Sequence, residues 1–176
     1  MTANNHWWNL AQDYEKEWWR SRQRDIDFSF YSNYADQLRF TIKDYLQIIS
    51  STKILEIGSG AGGIITFLNE SKNRFAIDPL ENFYSSVQSF VDQRDKNVKY
   101  QSAMGEELPF ENKFFDLVIM DNVLDHCENP QKVMEQVNRV LTEEGLIYFK
   151  QNTYNYWGLT VRFLMEKFLI DKGHPY

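Results

Sequence analysis

From residue 30 to residue 150 the apolar positions switch between two rhythms. Phe30, Tyr34, Leu38, Ile42, Tyr45 and Ile49 recur every three or four residues, which predicts a helix over 30–49 with one apolar face. Ile54, Leu55 and Ile57 then form a short apolar run broken by Gly58, the pattern of a buried parallel strand that ends in a tight turn. Ile64, Ile65, Phe67 and Leu68 open the next helix. Phe75–Ile77 is a second strand, ending at Asp78-Pro79, and Leu80, Phe83, Val87, Phe90 and Val91 share one face of the helix expected after it. A weaker strand follows at 98–101, then a loop over 102–113 and a strong strand over 114–120. Asn129-Pro130 opens a helix, because Asn caps and Pro is tolerated at the first helical position. Met134, Val137 and Leu141 form its inner face, Gly145 is expected to stop it, and Leu146–Phe149 is the fifth strand.

Strand and helix alternate throughout, so residues 30–150 predict an α/β domain with a mostly parallel sheet and helices on both faces. Residues 1–29 form an aromatic, charged helical extension with tryptophan pairs at Trp7-Trp8 and Trp18-Trp19. It packs on the domain edge or lies as a flap over a pocket, and tryptophan suits both. Residues 151–176 carry one more apolar helix, about Leu159 to Ile170, and no clear strand.

Composition narrows the partners. The 176 residues carry a net charge of −6, with no run of Lys and Arg, which disfavours nucleic acid. One cysteine, Cys127, excludes an internal disulfide and fits a cytoplasmic setting. The N-terminus lacks the pattern of a signal peptide, and no stretch is apolar enough for a membrane span. His6, His126 and His174 are too dispersed to announce a metal site.

The chemistry concentrates after the first strand. LEIGSGAGG, Leu55 to Gly63, turns the chain sharply and lets a ligand touch bare backbone at Gly58, Gly60 and Gly63. Asp78, at the end of the second strand, can accept from both hydroxyls of a ribose. These features describe a dinucleotide site as well as any other adenosine site. Glu56 separates the two readings. Inside the first strand, it would repel the pyrophosphate of NAD, but it suits the ammonium and sulfonium of S-adenosylmethionine; the alternative is that it only braces the loop.

Together these segments resemble the class I, Rossmann-like S-adenosylmethionine-dependent methyltransferases, especially the small-molecule branch. LEIGSGAGG resembles the family's first motif and FAIDPL, Phe75 to Leu80, its second. GEELPFENKFFDLVIMDNVLDHCENP, Gly105 to Pro130, and VMEQVNRVLTEEGLIYF, Val133 to Phe149, resemble the later ones. The resemblance implies S-adenosyl-L-methionine as cofactor. Glu56, Gly58, Ser59, Gly60 and Gly63 then surround it from the first strand, and Asp78-Pro79 meet the ribose. Ala103, Met104 and Gly105 border the adenine, with Met104 where the family often has an acid. Asp121 and Asn122 stand near the methionine part and the acceptor. Asp121 and His126 are the candidate catalytic residues, His126 as a base or as a group that fixes the turn; Cys127 reads as buried filler.

The implied reaction is direct methyl displacement onto a small-molecule acceptor. The rival readings are an NAD-binding oxidoreductase and a non-catalytic methyltransferase-like binding protein. The family usually adds an antiparallel strand pair after the fifth strand, and that pair is missing here. A truncated chain, the helix from Leu159, or a homo-oligomer formed through this C-terminal edge are the expected accounts.

Overall fold

The computed structural model describes residues 3–153. Five strands, β1 (Lys53–Ile57), β2 (Asn73–Asp78), β3 (Val98–Ser102), β4 (Phe115–Asp121) and β5 (Leu141–Lys150), form one sheet in the order β3-β2-β1-β4-β5. Every neighbouring pair is parallel. Five helices accompany them: α1 (Ala3–Arg22), α2 (Phe30–Ile42), α3 (Glu81–Tyr84), α4 (Gln88–Val91) and α5 (Pro130–Val140). No described helix is long and apolar enough to cross a membrane.

Alternation along the strands builds a core on each face of the sheet. Leu55, Ile57, Val118 and Met120 pack with Val133, Val137 and Val140 of α5. Ile54, Ala76, Leu117 and Ile119 pack with Ala35, Leu38 and Ile42 of α2. A third cluster of Trp19, Phe28, Ala61, Tyr84 and Phe90 ties α1 to the domain. Within it, Trp19 meets Phe28, Tyr84 and Phe90 edge-on at centroid distances of 5.6–6.3 Å.

The helices are shorter than the apolar periodicity predicts. The first ends at Ile42, and Tyr45 and Ile49 lie outside it, 79% and 53% exposed. The helix expected from Ile64 is a single 3-10 turn, Ile64–Phe67. Ser71 then donates to the Thr52 carbonyl at 2.5 Å, which draws the chain straight into β2. The helix expected over 80–91 breaks at Val87, which is extended. Ser86 donates its hydroxyl to the Phe83 carbonyl at 2.6 Å beside the break, a local bond that competes with helix continuation. Both halves bury an aromatic ring, Tyr84 and Phe90, in the Trp19 cluster.

Gly145 does not stop a helix. Helix α5 ends at Val140, Leu141 is already extended, and β5 begins there. Leu141 faces Phe115 and Leu146 faces Leu117, so a bulge holds the extra residues between them. A Cβ on Gly145 would stand 3.0 Å from the Phe115 carbonyl oxygen, which explains the glycine within the bulge.

The sheet contains no antiparallel pair among the described residues, and β5 has one strand neighbour. Ile147 and Phe149 on β5 are 36% and 45% exposed. The helix predicted from Leu159 to Ile170 lies outside the described residues.

Two α2 positions on opposite faces of the helix test the packing. Leu38 is fully buried, whereas Phe40 is 71% exposed. Leu38→Ala is expected to cost about 2–5 kcal/mol in urea unfolding, and Phe40→Ala to stay within about 0.5 kcal/mol.

Candidate active site

The carboxyl ends of the strands open into a cavity of about 630 Å³, within the range of small-molecule sites. The loop after β1 forms its floor. Gly58 has φ +70°, and a Cβ there would meet Val123 at 2.6 Å, so the loop after β4 packs directly on its backbone. The Gly58 N–H donates to the Ile77 carbonyl at 2.8 Å, which locks the loop to β2.

Glu56 is buried behind this loop. Its two carboxylate oxygens accept the N–H groups of Ile64 at 3.0 Å and Ile65 at 2.8 Å. Burial pushes its pKa up to about 8, against the two hydrogen bonds that favour the charged form. Glu56 therefore braces the loop, and it also reaches the cavity wall. Gly63, at φ +78°, leaves room for this brace: a Cβ there would stand 2.5 Å from Glu56 Oε2. Gly63 and Ser59 do not line the cavity; Ser59 is buried, and its hydroxyl donates to the Gly60 carbonyl at 3.3 Å.

At the end of β2, Asp78 accepts the Gly60 N–H at 3.0 Å through Oδ2 and the Leu80 N–H at 2.9 Å through Oδ1. Burial raises its pKa to about 6. An ionised carboxylate has about four acceptor positions, so two remain for a ligand. Pro79, Ala103, Met104 and Gly105 continue the wall beyond it. Met104 is half-buried in that wall and stands outside the apolar clusters.

Asp121 closes β4, and Asn122 follows in the left-handed region at φ 56°. Asn122 Oδ1 accepts from the Asn152 N–H and from Gln151 Nε2, both at 3.2 Å. Gln151 also donates to Asp125 Oδ1 at 2.9 Å, so the residues after β5 hold the turn after β4. His126 lines the cavity at the end of this turn, with Nε2 3.7 Å from Asp125 Oδ1. Cys127 is buried, and burial pushes its pKa up to about 12, so it stays a thiol at neutral pH.

Thus Glu56, Gly58, Gly60, Asp78, Pro79, Ala103, Met104, Gly105, Asp121, Asn122 and His126 meet at one cavity. Sequence reasoning missed four of its other walls. Glu15 on α1 accepts Trp19 Nε1 at 2.8 Å, Tyr31 and Tyr34 come from α2, and Lys150 ends β5. Burial, with Glu56 nearby, pushes the Tyr31 phenol well above its usual range. The signal for Lys150 was its place directly after the apolar run of β5, at a strand end. Trp8, Gln12, Trp18 and Trp19 also line the cavity, so α1 is both edge packing and pocket wall.

Residues 55–149, more than half of the chain, match the family described as "Methyltransferase domain". Among curated relatives, a sarcosine/dimethylglycine N-methyltransferase of Aphanothece halophytica is 31% identical over 110 residues, which cover 57% of this chain and 38% of that protein. A ubiquinone biosynthesis O-methyltransferase of Rickettsia bellii is 31% identical over 106 residues, covering 60% of this chain and 44% of its own length. The chain therefore spans less than half of these relatives. The crystal structure of YcgJ from Bacillus subtilis has the same fold, with a TM-score of 0.62 at 22% identity over 78% of this chain and 59% of that one. None of these findings supports the NAD reading.

The brace predicts its own test. Gly63→Ala places a Cβ against Glu56 at a φ that side chains rarely adopt. It is expected to lower stability in urea by about 1–3 kcal/mol from backbone strain alone, whereas Ser59→Ala should cost under about 1.5 kcal/mol.

The family match over 55–149, joined to a cavity built from the segments that carry the family's motifs, places the chain among the class I S-adenosylmethionine-dependent methyltransferases.

Proposed function

We propose that the cavity holds S-adenosyl-L-methionine and that the chain moves its methyl group to a small-molecule acceptor by direct displacement. The observation that carries this reading is the joining of Asp78, the Gly58–Gly60 turn and the Ala103–Gly105 loop in one cavity at the ends of β1, β2 and β3. Asp78 accepts from the ribose hydroxyls with the positions its backbone bonds leave open. Pro79, Ala103, Met104 and Gly105 border the adenine. In place of the family's acid, Met104 offers apolar contact, and backbone groups supply the polar ones. Gly58 and Gly60 turn the chain tightly under Val123 and Trp19 and bring its backbone to the cavity, with Glu56, Ser59 and Gly63 shaping the loop behind them. Asp121, Asn122 and the carboxyl of Glu56 face the methionine part, whose ammonium and sulfonium suit an acidic wall.

The bound cofactor supplies a methyl group on a sulfonium, already a strong leaving group. The protein then has to align the acceptor and exclude water. Trp8, Trp18 and Trp19 of α1 provide a cover for that purpose. Asp121 and His126 stand on the acceptor side, with His126 taking the acceptor's proton or fixing its position. The relatives act on nitrogen and on oxygen, so the acceptor atom is open, while a small molecule fits the cavity and the net charge of −6. A cytoplasmic setting agrees with the single, buried thiol. We read residues 1–29 as an extension, 30–150 as the methyltransferase domain and 151–176 as a tail. Among the described residues β5 has one strand neighbour, and its exposed Ile147 and Phe149 support pairing with that tail or with a second copy.

Calorimetry is expected to show binding of S-adenosylhomocysteine and much weaker binding of NAD. The reverse result would sink the assignment. Loss of a charged hydrogen bond is worth about 1.5–3 kcal/mol, so Asp78→Ala should weaken S-adenosylhomocysteine binding about 10- to 150-fold.

The pH dependence follows from the same group. Asp78 protonates as pH falls through about 6 and loses an acceptor, so affinity for S-adenosylhomocysteine should drop below that pH. In Asp78→Asn this drop should flatten. His126→Ala is expected to lower kcat more than it lowers S-adenosylhomocysteine affinity.

A further inference from the structure

The cavity wall is acidic except at one place. It carries the carboxyl groups of Glu15, Glu56, Asp78, Glu106 and Asp121, and Lys150 is the single lysine or arginine among its described lining residues. Lys150 is the last residue of β5, in register with Asp121, the last residue of β4. Its ammonium stands 3.3 Å from Asp121 Oδ2 and 4.7 Å from the centre of the Tyr34 ring. The Lys150 side chain is 41% exposed and that of Asp121 is 20% exposed. A pair as open as this adds little to folding. Among the described residues the Lys150 ammonium donates to Asp121 and stands over the Tyr34 ring, and an ammonium has three donors to offer. An anionic ligand group entering this cavity thus finds one strong cationic partner, held in place by a carboxylate and an aromatic face.

We propose that Lys150 recognises the methyl acceptor, and that the acceptor carries a carboxylate which pairs with the Lys150 ammonium. The proposal rests on the reading that Asp78 holds the ribose. Neighbouring strands lie about 4.8 Å apart, so with the order β2-β1-β4-β5 the end of β5 lies about 14 Å from the end of β2. The amino-acid arm of the cofactor extends about six bonds from the ribose ring, or about 8 Å at about 1.3 Å gained per bond. That arm spans β1 and reaches β4. The backbone of Lys150 lies one strand beyond it, and its ammonium, 3.3 Å from Asp121 Oδ2, stands at the end of β4, beside the acceptor's approach to the methyl group. Asp121, beside Lys150, then faces the part of the acceptor that bears the nucleophile. An acceptor with both an acidic group and a nitrogen or oxygen nucleophile meets complementary charge at both ends.

The test uses the full chain and three acids as probes: sarcosine, 4-hydroxybenzoate and thioglycolate, each compared with its amide. Binding is measured by calorimetry with and without saturating S-adenosylhomocysteine. At least one acid is expected to bind about tenfold more tightly than its amide. Lys150→Gln should erase that preference, Lys150→Arg should keep it, and S-adenosylhomocysteine affinity and thermal midpoint should stay unchanged in both. The proposal is overturned if no acid is preferred over its amide, or if the preference survives in Lys150→Gln. It is also overturned if Lys150→Gln weakens S-adenosylhomocysteine but leaves 5′-methylthioadenosine unaffected, because Lys150 would then hold the cofactor's own carboxylate. Failure of the unsubstituted chain to bind S-adenosylhomocysteine sinks the cofactor placement instead, and the acid–amide comparison without that ligand still reads Lys150 separately.

Discussion

Without Glu56, the buried N–H groups of Ile64 and Ile65 would lose the acceptor that each of them has. The Glu56 carboxyl takes both, and it does so from inside the central strand β1. Leaving a buried donor unmatched costs about 1–3 kcal/mol, so the loop can leave the sheet as it does because this acid is there. The rest follows from that loop. Its turn brings Gly58 under Val123 and the Gly60 N–H onto Asp78, and so sets the spacing between the ends of β1, β2 and β4. The price is a carboxyl whose burial opposes its charge.

A second buried acid works on the outside of the same loop. Glu81 pairs with Arg94 at 2.8 Å, with both side chains nearly buried, and Arg94 Nε donates to the Ala61 carbonyl at 2.6 Å. Arg94 also lies 3.9 Å from the centre of the Tyr100 ring, whose hydroxyl donates to the Gly62 carbonyl at 2.7 Å. The carbonyls of the loop are therefore held from one side while its N–H groups are held from the other. Removing one partner of a buried pair of this kind typically costs about 3–5 kcal/mol. A rigid floor results, on which small ligand groups can be placed closely.

Strands β1, β2 and β4 were legible because each is a short apolar run ended by a glycine or an acid, and parallel strands buried on both faces read that way. The position of Asp78 followed from the end of the second strand, and that of Ala103, Met104 and Gly105 from the family resemblance. The helices were less legible. Apolar periodicity continued through Val87 and through Leu141, but local serine bonds broke the first and an immediate entry into β5 ended the second. Ser59 and Gly63 belong to the motif yet stand behind the cavity, since a motif marks a backbone path and does not say which side of it faces a ligand. The contributions of Glu15, Tyr31 and Tyr34 depend on how distant segments meet, and no local pattern records that, whereas Lys150 was marked by its place at a strand end. For Glu56, the brace was one of two readings open in the sequence, and the two bonds to Ile64 and Ile65 give it its geometry.

The sheet order has a consequence for how the molecule resists degradation. The central strand β1 gains its second neighbour only from residues 115–121, and the cavity draws on segments from α1 to the end of β5. No fragment that lacks either α1 or the end of β5 holds every residue that lines the cavity. Any ligand that fills the cleft therefore binds only the assembled protein, and occupancy pulls the folding equilibrium with it. At about one hundred times its dissociation constant, such a ligand adds about 2.7 kcal/mol to the stability of the fold. Ligand supply would thus set how long the chain survives proteases.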